Sequence, residues 1–453
     1  MKVVKFGGSS LASGKQMEKV FQIVTSDRER KIVVVSAPGK RFASDEKVTD
    51  LLIECAVAAL QNHSFNEKLD AVIERYASIA EELLLPNTVI QEIQEDLMLR
   101  LQGDKSKPDR FMDRIKASGE DNQAKLTAAF FRKKGIESYY VDPREAGLLV
   151  SNEPGNAQVL PEAYDQLYLL RNRSGILIFP GFFGYSKEGE VFTFSRSGSD
   201  ITGSILANAI KADLYENFTD VDAVYSVNPS IVEEPKEIKE LTYREMRELS
   251  YAGFTVLHDE ALVPAFRAGI PVQIKNTNNP SAPGTRIVNE RNNTNGPVIG
   301  IASDKGFCSI YVSKYLMNRE IGFGRKLLGV LEGFGLSYEH TPSGIDDISV
   351  ILRENQLDEI LEQKIIHRIK TELHADEVEI VHSLALIMVV GEGMRHNVGT
   401  MARASKALAR YSVNIEMINQ GSSEVSMMFG VKEMDEKRAV QALYEEFFVP
   451  VTV

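Results

Sequence analysis

The sequence predicts an α/β protein: a mostly parallel sheet sandwiched by helices, followed by two copies of a small α+β unit. Three observations carry this. Apolar strand-like runs alternate with helix-like runs over roughly the first 290 residues, the pattern of a sheet covered on both faces. A stretch rich in Asn, Pro and Gly, Asn276–Pro297, then destroys all periodicity and marks a boundary. Beyond it the chain repeats itself: Gly322 recurs as Gly399 and Gly344 as Gly421, an offset of 77 both times (399 − 322 and 421 − 344).

Taken in order, Val3–Phe6, Lys31–Ala37, Ser138–Asp142, Gly175–Phe179, Ala212–Asn217 and Pro271–Asn276 read as buried strands, with helices such as Gln16–Val24 and Ile201–Ile210 between them. Residues 45–135 depart from the alternation with a long acidic helical excursion that includes Glu67–Leu85. The sheet-and-helix part is therefore expected over 1–290. The first repeat is expected over 298–375 and the second over 376–447, with a last strand, 448–453, returning to complete the first. Each copy reads as strand, glycine-led helix, strand, glycine turn, strand and second helix, the last being Glu436–Phe447.

The totals narrow the function. The chain has 453 residues and a net charge of −12. That argues against nucleic acid, which needs a basic face, and means that an anionic substrate must be held by a few local cations. Two cysteines, Cys55 and Cys308, give no disulfide framework. No stretch approaches a membrane span, and the start lacks the apolar core of a signal peptide, so a cytoplasmic protein without membrane partners is expected. The seven histidines show no metal-ligand spacing, and no protein-held metal is expected. Cys55 and the methionines of Ser426–Gly430 read as core.

The chemistry starts at KFGGSS. The first strand carries Lys5 and runs into Gly7, Gly8 and Ser9. Glycines let backbone amides approach a phosphate, and the lysine can reach the same group. A Walker P-loop does not fit: five residues separate Gly8 from Gly14, and Gln16 stands where Ser or Thr is needed. The dinucleotide fingerprint is also missing. The plain alternative is a tight turn beside a snorkelling lysine. A second stretch, SRSGSD, places Arg196 beside Ser199 and Asp200 before a helix. Its residues could simply cap that helix. An arginine for a carboxylate and an aspartate for an ammonium would together recognise an amino acid. A third stretch ends a strand in Thr219, Asp220 and Asp222, where open α/β sheets hold nucleotide or magnesium.

In sequence order KFGGSS, VVVSAP, ASGE, GFFG, SRSGSD, TDVDAVYSVNP and NPSAPGT resemble the aspartate kinases over almost the whole chain. The resemblance is to the monofunctional, firmicute-like subgroup. It implies the amino-acid kinase fold followed by two ferredoxin-like ACT domains. It further implies that Lys5, Gly7, Gly8 and Ser9 meet the transferred phosphate, and that Thr219, Asp220 and Tyr225 surround adenine and ribose. Ser36, Thr49, Glu120, Phe182, Arg196, Ser199 and Asp200 would form the aspartate pocket, with Lys5 and Asp200 catalytic. Two positions depart from the family pattern: Thr255 replaces a lysine that reaches the nucleotide, and Ser230 follows Asn228–Pro229 where arginine is common.

The implied reaction is phosphorylation of the L-aspartate side-chain carboxylate by ATP with Mg²⁺, the first step toward lysine, threonine and methionine. The ACT pair implies feedback by lysine, alone or jointly with threonine. The effector pocket would cross the interface of a homodimer or dimer of dimers, at Met317, Gly322, Phe323, Gly324, Ser337, Tyr338, Glu339 and Asp346. Asp346 and Asp347, where the second copy has Ser423 and Glu424, would suit a cationic effector. The alternatives are another kinase of this fold, acting on glutamate, acetylglutamate or a nucleoside monophosphate, and a catalytically idle amino-acid sensor.

Overall fold

In the computed structural model, which describes residues 1–195, 197–254, 257, 259–291, 296–421, 423 and 425–450, the opening strand β1 (Lys2–Phe6) is central to an eight-stranded sheet. Val3, Val4 and Phe6 are fully buried, as a strand covered on both faces requires. In chain order β1 is followed by α1 (Gly14–Thr25), β2 (Arg30–Val35), and four successive helices: α2 (Val48–Leu60), α3 (Asn66–Glu82), α4 (Asn87–Gln102) and α5 (Pro108–Lys133). Next come β3 (Ser138–Tyr140), α6 (Pro143–Ala146), α7 (Pro161–Tyr168), β4 (Ile176–Pro180), β5 (Phe183–Tyr185), β6 (Val191–Thr193), α8 (Gly198–Ala209) and β7 (Leu214–Thr219). The short strands β8 (Val224–Tyr225), β9 (Glu237–Ile238) and β10 (Glu240–Thr242) precede α9 (Tyr243–Tyr251), α10 (Val263–Ala268), β11 (Val272–Asn276) and β12 (Thr285–Val288).

The sheet order is β10-β12-β11-β7-β1-β2-β4-β3. From β11 to β3 every neighbouring pair is parallel; only β12 runs against β11. The parallel strands therefore end on one edge, at Phe6, Val35, Pro180, Thr219 and Asn276. Local signals explain the covering helices. Ser13 caps α1, its Oγ accepting from Gln16 N at 3.3 Å, and Met17, Val20, Ile23 and Val24 form the buried stripe. The middle of α5 is buried nearly all round. An ion pair joins β2 to β7: Arg30 grips Glu216 at 2.7 and 2.9 Å, with side chains 10% and 5% exposed.

The chain divides into two compact units. The first holds Met1–Val224, Glu237–Met246 and Thr255–Arg291; the second holds Tyr225–Lys236, Arg247–Phe254 and Asn292–Val453. The units are interleaved along the chain, where the sequence alone suggests one boundary near 290. Val227 joins the second unit's core with Ile231 and Val232 packed against it. These short apolar contributions carry no periodicity of their own.

The second unit contains β13 (Gly300–Ser313), α11 (Phe323–Glu332), β14 (Asp347–Arg353), α12 (Glu359–Leu373), β15 (Glu377–Val390), α13 (Thr400–Arg410), β16 (Met417–Asn419), β17 (Ser426–Lys432) and α14 (Glu436–Phe448). Its strands form one antiparallel sheet, β14-β13-β15-β17-β16. The repeat offset maps β13 onto β15, residue 300 onto 377. Each strand holds one extra residue at the shift in register: Gly306 (φ +76°), or its counterpart Ser383 (φ +57°). An extra residue exchanges the inward and outward sets. Accordingly Ile301, Ala385, Ile387 and Val389 face one core with α13 and α14, whereas Cys308, Ile310, Val312 and Val378 face another with α11 and α12. The two copies are thus nested. Residues 300–305 belong to the second core, although the sequence reading assigns them to the first copy. The expected closing strand falls partly in α14 at Phe448, and its residues 451–453 lie outside the described residues.

Arg30→Met is expected to lower unfolding free energy by about 3–5 kcal/mol, because Glu216 would keep a buried charge without its partner. Denaturant titration checks this, and the Arg30→Met/Glu216→Gln double variant should recover part of the loss.

Candidate active site at the carboxyl edge of the first sheet

Lys5 lies one residue before the end of β1. A charge in the middle of a sheet must be paired, and Lys5 Nζ is 2.6 Å from Asp200 Oδ1; both residues are under a tenth exposed. Asp200 comes from the first turn of α8. Asn217, from the neighbouring β7, donates to the same Oδ1 at 2.7 Å, and Tyr215 OH donates to the Asp200 carbonyl at 3.2 Å. Three elements thereby fix one cation at the edge where the strands end.

The loops after β1 and β2 are pressed together beside it. Gly39 N donates to Gly8 O at 2.8 Å, and a Cβ on Gly39 would lie 2.5 Å from the Gly8 carbonyl carbon. Only glycine fits on both sides of such a contact. The same loop receives α2 and α5. Val48 N donates to Pro38 O at 3.1 Å, which brings the half-buried Thr49 to the loop following Ser36. Glu120 Oε1 accepts from Ala37 N at 3.0 Å, while its Oε2 is buried without a partner. Burial pushes the Glu120 carboxyl up to about 8, although the bond from Ala37 and the charge of Lys5 pull the other way.

Phe182 follows β4 with a left-handed backbone (φ +77°), its N–H held by Thr202 Oγ1 at 3.0 Å. The end of β4 touches the start of α8: a Cβ on Gly181 would lie 2.6 Å from Ser199 Oγ. At the end of β7, Thr219 Oγ1 donates to Asp220 Oδ1 at 3.1 Å, and Asn276 Nδ2 donates to Asp222 Oδ1 at 2.8 Å.

The sequence-predicted residues Lys5, Gly7, Gly8, Ser9, Ser36, Thr49, Glu120, Phe182, Ser199, Asp200, Thr219 and Asp220 thus sit on strands, loops or helix starts at this edge or against its loops. Tyr225 falls in a segment that folds with the second unit. Arg196 and Thr255 lie outside the described residues, as does His258. The sequence reading missed Asn217, Gly39 and Asn276. A signal for Asn217 existed: it is a polar residue inside an otherwise apolar strand.

In the second unit, Gly322 (φ +78°) and its repeat counterpart Gly399 (φ +89°) start α11 and α13 in the same left-handed conformation. Met317 and Phe323 are buried in the core beside Gly322 and Gly324. Asp346 Oδ1 accepts from Leu316 N at 2.8 Å. Ser337 Oγ bonds Gln356 at 3.0 Å, Tyr338 is half exposed, and Glu339 pairs with Arg353 at 3.5 Å. No group of three His, Cys, Asp or Glu side chains able to hold a metal converges among the described residues.

Residues 1–276 match the amino acid kinase family and residues 387–447 an ACT domain. The chain is 71% identical over its whole length to aspartokinase 3 of Bacillus subtilis, all of which it covers. It is 29% identical to the chloroplastic aspartokinase 1 of Arabidopsis thaliana, over 98% of this chain and 80% of that protein. Among solved structures, Clostridium acetobutylicum aspartate kinase is similar at a TM-score of 0.88 and 38% identity, covering 99% of this chain and all of that one. The Escherichia coli aspartokinase III complex with aspartate and ADP is similar at 0.79 and 26%, covering 98% and 99%. Its complex with lysine and aspartate gives 0.78 and 26%, covering 99% of each.

The folded protein keeps the Glu120 proton up to about pH 8, whereas the unfolded chain loses it near 4.5. Glu120 therefore contributes stability that is full below 4.5 and is lost as pH rises through that window. Glu120→Gln should flatten this loss. Denaturation midpoints of wild type and variant are expected to diverge progressively toward alkaline pH in favour of the variant.

Proposed function

From the premise that this chain belongs to the amino acid kinase family, in its aspartokinase branch, we propose that the carboxyl edge of the first sheet is where ATP and L-aspartate react. The chain is an aspartate kinase. It transfers the γ-phosphoryl group of ATP to the side-chain carboxylate of L-aspartate, giving ADP and 4-phospho-L-aspartate. The observation that carries the placement is the buried Lys5–Asp200–Asn217 cluster at the meeting point of β1, β7 and α8.

The acceptor carboxylate is ionised at neutral pH and is its own nucleophile. One of its oxygens bonds to the γ-phosphorus as the bond to the bridging oxygen of ADP breaks. The protein must align the two and offset charge on the transferring group. Lys5 supplies the fixed cation, and Asp200 with Asn217 sets its direction. The close-packed Gly8 loop supplies backbone approach. Mg²⁺ arrives with ATP as part of the nucleotide substrate. Ser36, Thr49, Phe182 and Ser199 shape the acceptor pocket, with Arg196 on the aspartate α-carboxylate. Glu120, whose Oε2 has no partner, faces the ammonium. Thr219, Asp220 and Tyr225 serve the nucleotide. Feedback by lysine, alone or with threonine, acts through an effector pocket at Met317, Gly322, Phe323, Gly324, Ser337, Tyr338, Glu339 and Asp346. The assembly is a homodimer or dimer of dimers through the ACT domains. The setting is cytoplasmic amino-acid biosynthesis.

A coupled ADP-release assay across aspartate, glutamate and acetylglutamate tests the reading: turnover should require aspartate, and an idle sensor would show none. Lys5→Ala should cut kcat by about a hundredfold or more, the scale of losing one charge-stabilising donor, and should also lower unfolding stability, because Asp200 would keep a buried charge without its partner. The free enzyme holds Glu120 protonated below about 8, and an ammonium needs the ionised form. The aspartate KM should therefore fall as pH rises toward 8, and Glu120→Gln should abolish that slope, as steady-state profiles would reveal.

A further inference from the structure

The repeat allows the second unit's two halves to be compared position by position on the sheet face turned away from α11 to α14. At the offset of 77, Ala302 corresponds to Glu379, Leu386 to Ser309, Met388 to Tyr311, Glu339 to Glu416, and Ser426 to Ser349. One half is occupied by the chain itself. The stretch Arg247–Phe254 lies there: Tyr251 OH donates to Glu339, Ser426 Oγ donates to Glu248 at 2.9 Å, and Leu249 lies against Gly300. Ala302, Leu386 and Met388 are buried in that half.

The corresponding half is open. Ser309, Tyr311, Ser349, Glu379 and Glu416 line a cavity of about 290 Å³, with Val381 and Leu384 as apolar wall. Ser309 is only 9% exposed, yet its hydroxyl finds no hydrogen-bond partner among the described residues, and nor do those of Tyr311 and Ser349. Glu416 meets only the Asn414 amide, at 2.9 Å, and Glu379 meets no cation among the described residues. These hydroxyls line the cavity with no protein partner among the described residues, so they are available to bond a ligand's polar group. Two carboxylates without cations select positive charge, and the volume is too large for a bare ion.

We propose that this open half is a binding site for a small organic amine of amino-acid size, its ammonium held by Glu379 and Glu416 and its polar end by the three hydroxyls. It shares no residue with the loop before α11. The occupied half shows the mode: there the chain's own Tyr251 and Glu248 satisfy the counterparts of Glu416 and Ser349.

The test is calorimetric titration of the full chain with L-lysine, L-arginine and putrescine. At least one should bind, with affinity falling at least about tenfold in Glu379→Gln/Glu416→Gln and in Ser309→Leu, the scale of one lost charge-assisted bond. Asp346→Asn, in the turn before β14 and bonded to the loop before α11, should leave this binding intact. Absence of binding by all three amines, or affinity kept in either pocket variant, overturns the proposal. Both pocket variants should retain aspartate kinase turnover without added amine, so a failed kinase reading and a failed amine site are told apart.

Discussion

Placing one ammonium inside a parallel sheet is the constraint on which the catalytic unit depends. A lysine in β1 has apolar neighbours on both sides in sequence, and an isolated charge there would be prohibitive. The fold answers with Asp200 from α8 and fixes that carboxylate with Asn217 from β7. The pair settles which strands neighbour β1 at its carboxyl end and where α8 must begin. It also fixes a cation at the edge where the parallel strands end.

Around that cation the architecture is built from close approach. Gly8 against Gly39, and Gly181 against Ser199, leave no room for side chains. These contacts bring the ends of β1, β2 and β4 within reach of one small molecule. The helical excursion serves the same edge, since α2 lands on Pro38 and α5 delivers Glu120 to Ala37. A large acidic insertion that reads as a solvated surface therefore reaches the loop after β2.

The mostly parallel sheet was legible because buried parallel strands are nearly continuous apolar runs and the glycine turns stand directly after them; the order of its strands was not, because no local pattern encodes which strands pair. Placement at the carboxyl edge of the sheet was legible where polar residues follow strand ends, as at Ser36 or Thr219. It was not legible where a polar residue lies within a strand: Asn217 has no motif, and its importance follows only from facing Asp200. The nested second unit was hidden for another reason. A single extra residue, Gly306 or Ser383, exchanges the faces of a long strand, so one strand serves two cores and the repeat boundary in sequence is not the boundary in space.

That nesting has an energetic consequence for regulation. Because β13 and β15 each run through both cores, a ligand that stiffens one copy acts on strands the other copy also needs. Symmetric copies alone would give two equivalent faces. Here the stretch 247–254 covers one face and leaves the other with hydroxyls and carboxylates in place of Ala302, Leu386 and Met388. Once a duplicated unit is covered on one side only, its halves are under different constraints: the covered face must be apolar to pack, and the open face is free to become polar. A fold made of two like pieces thereby acquires two unlike surfaces.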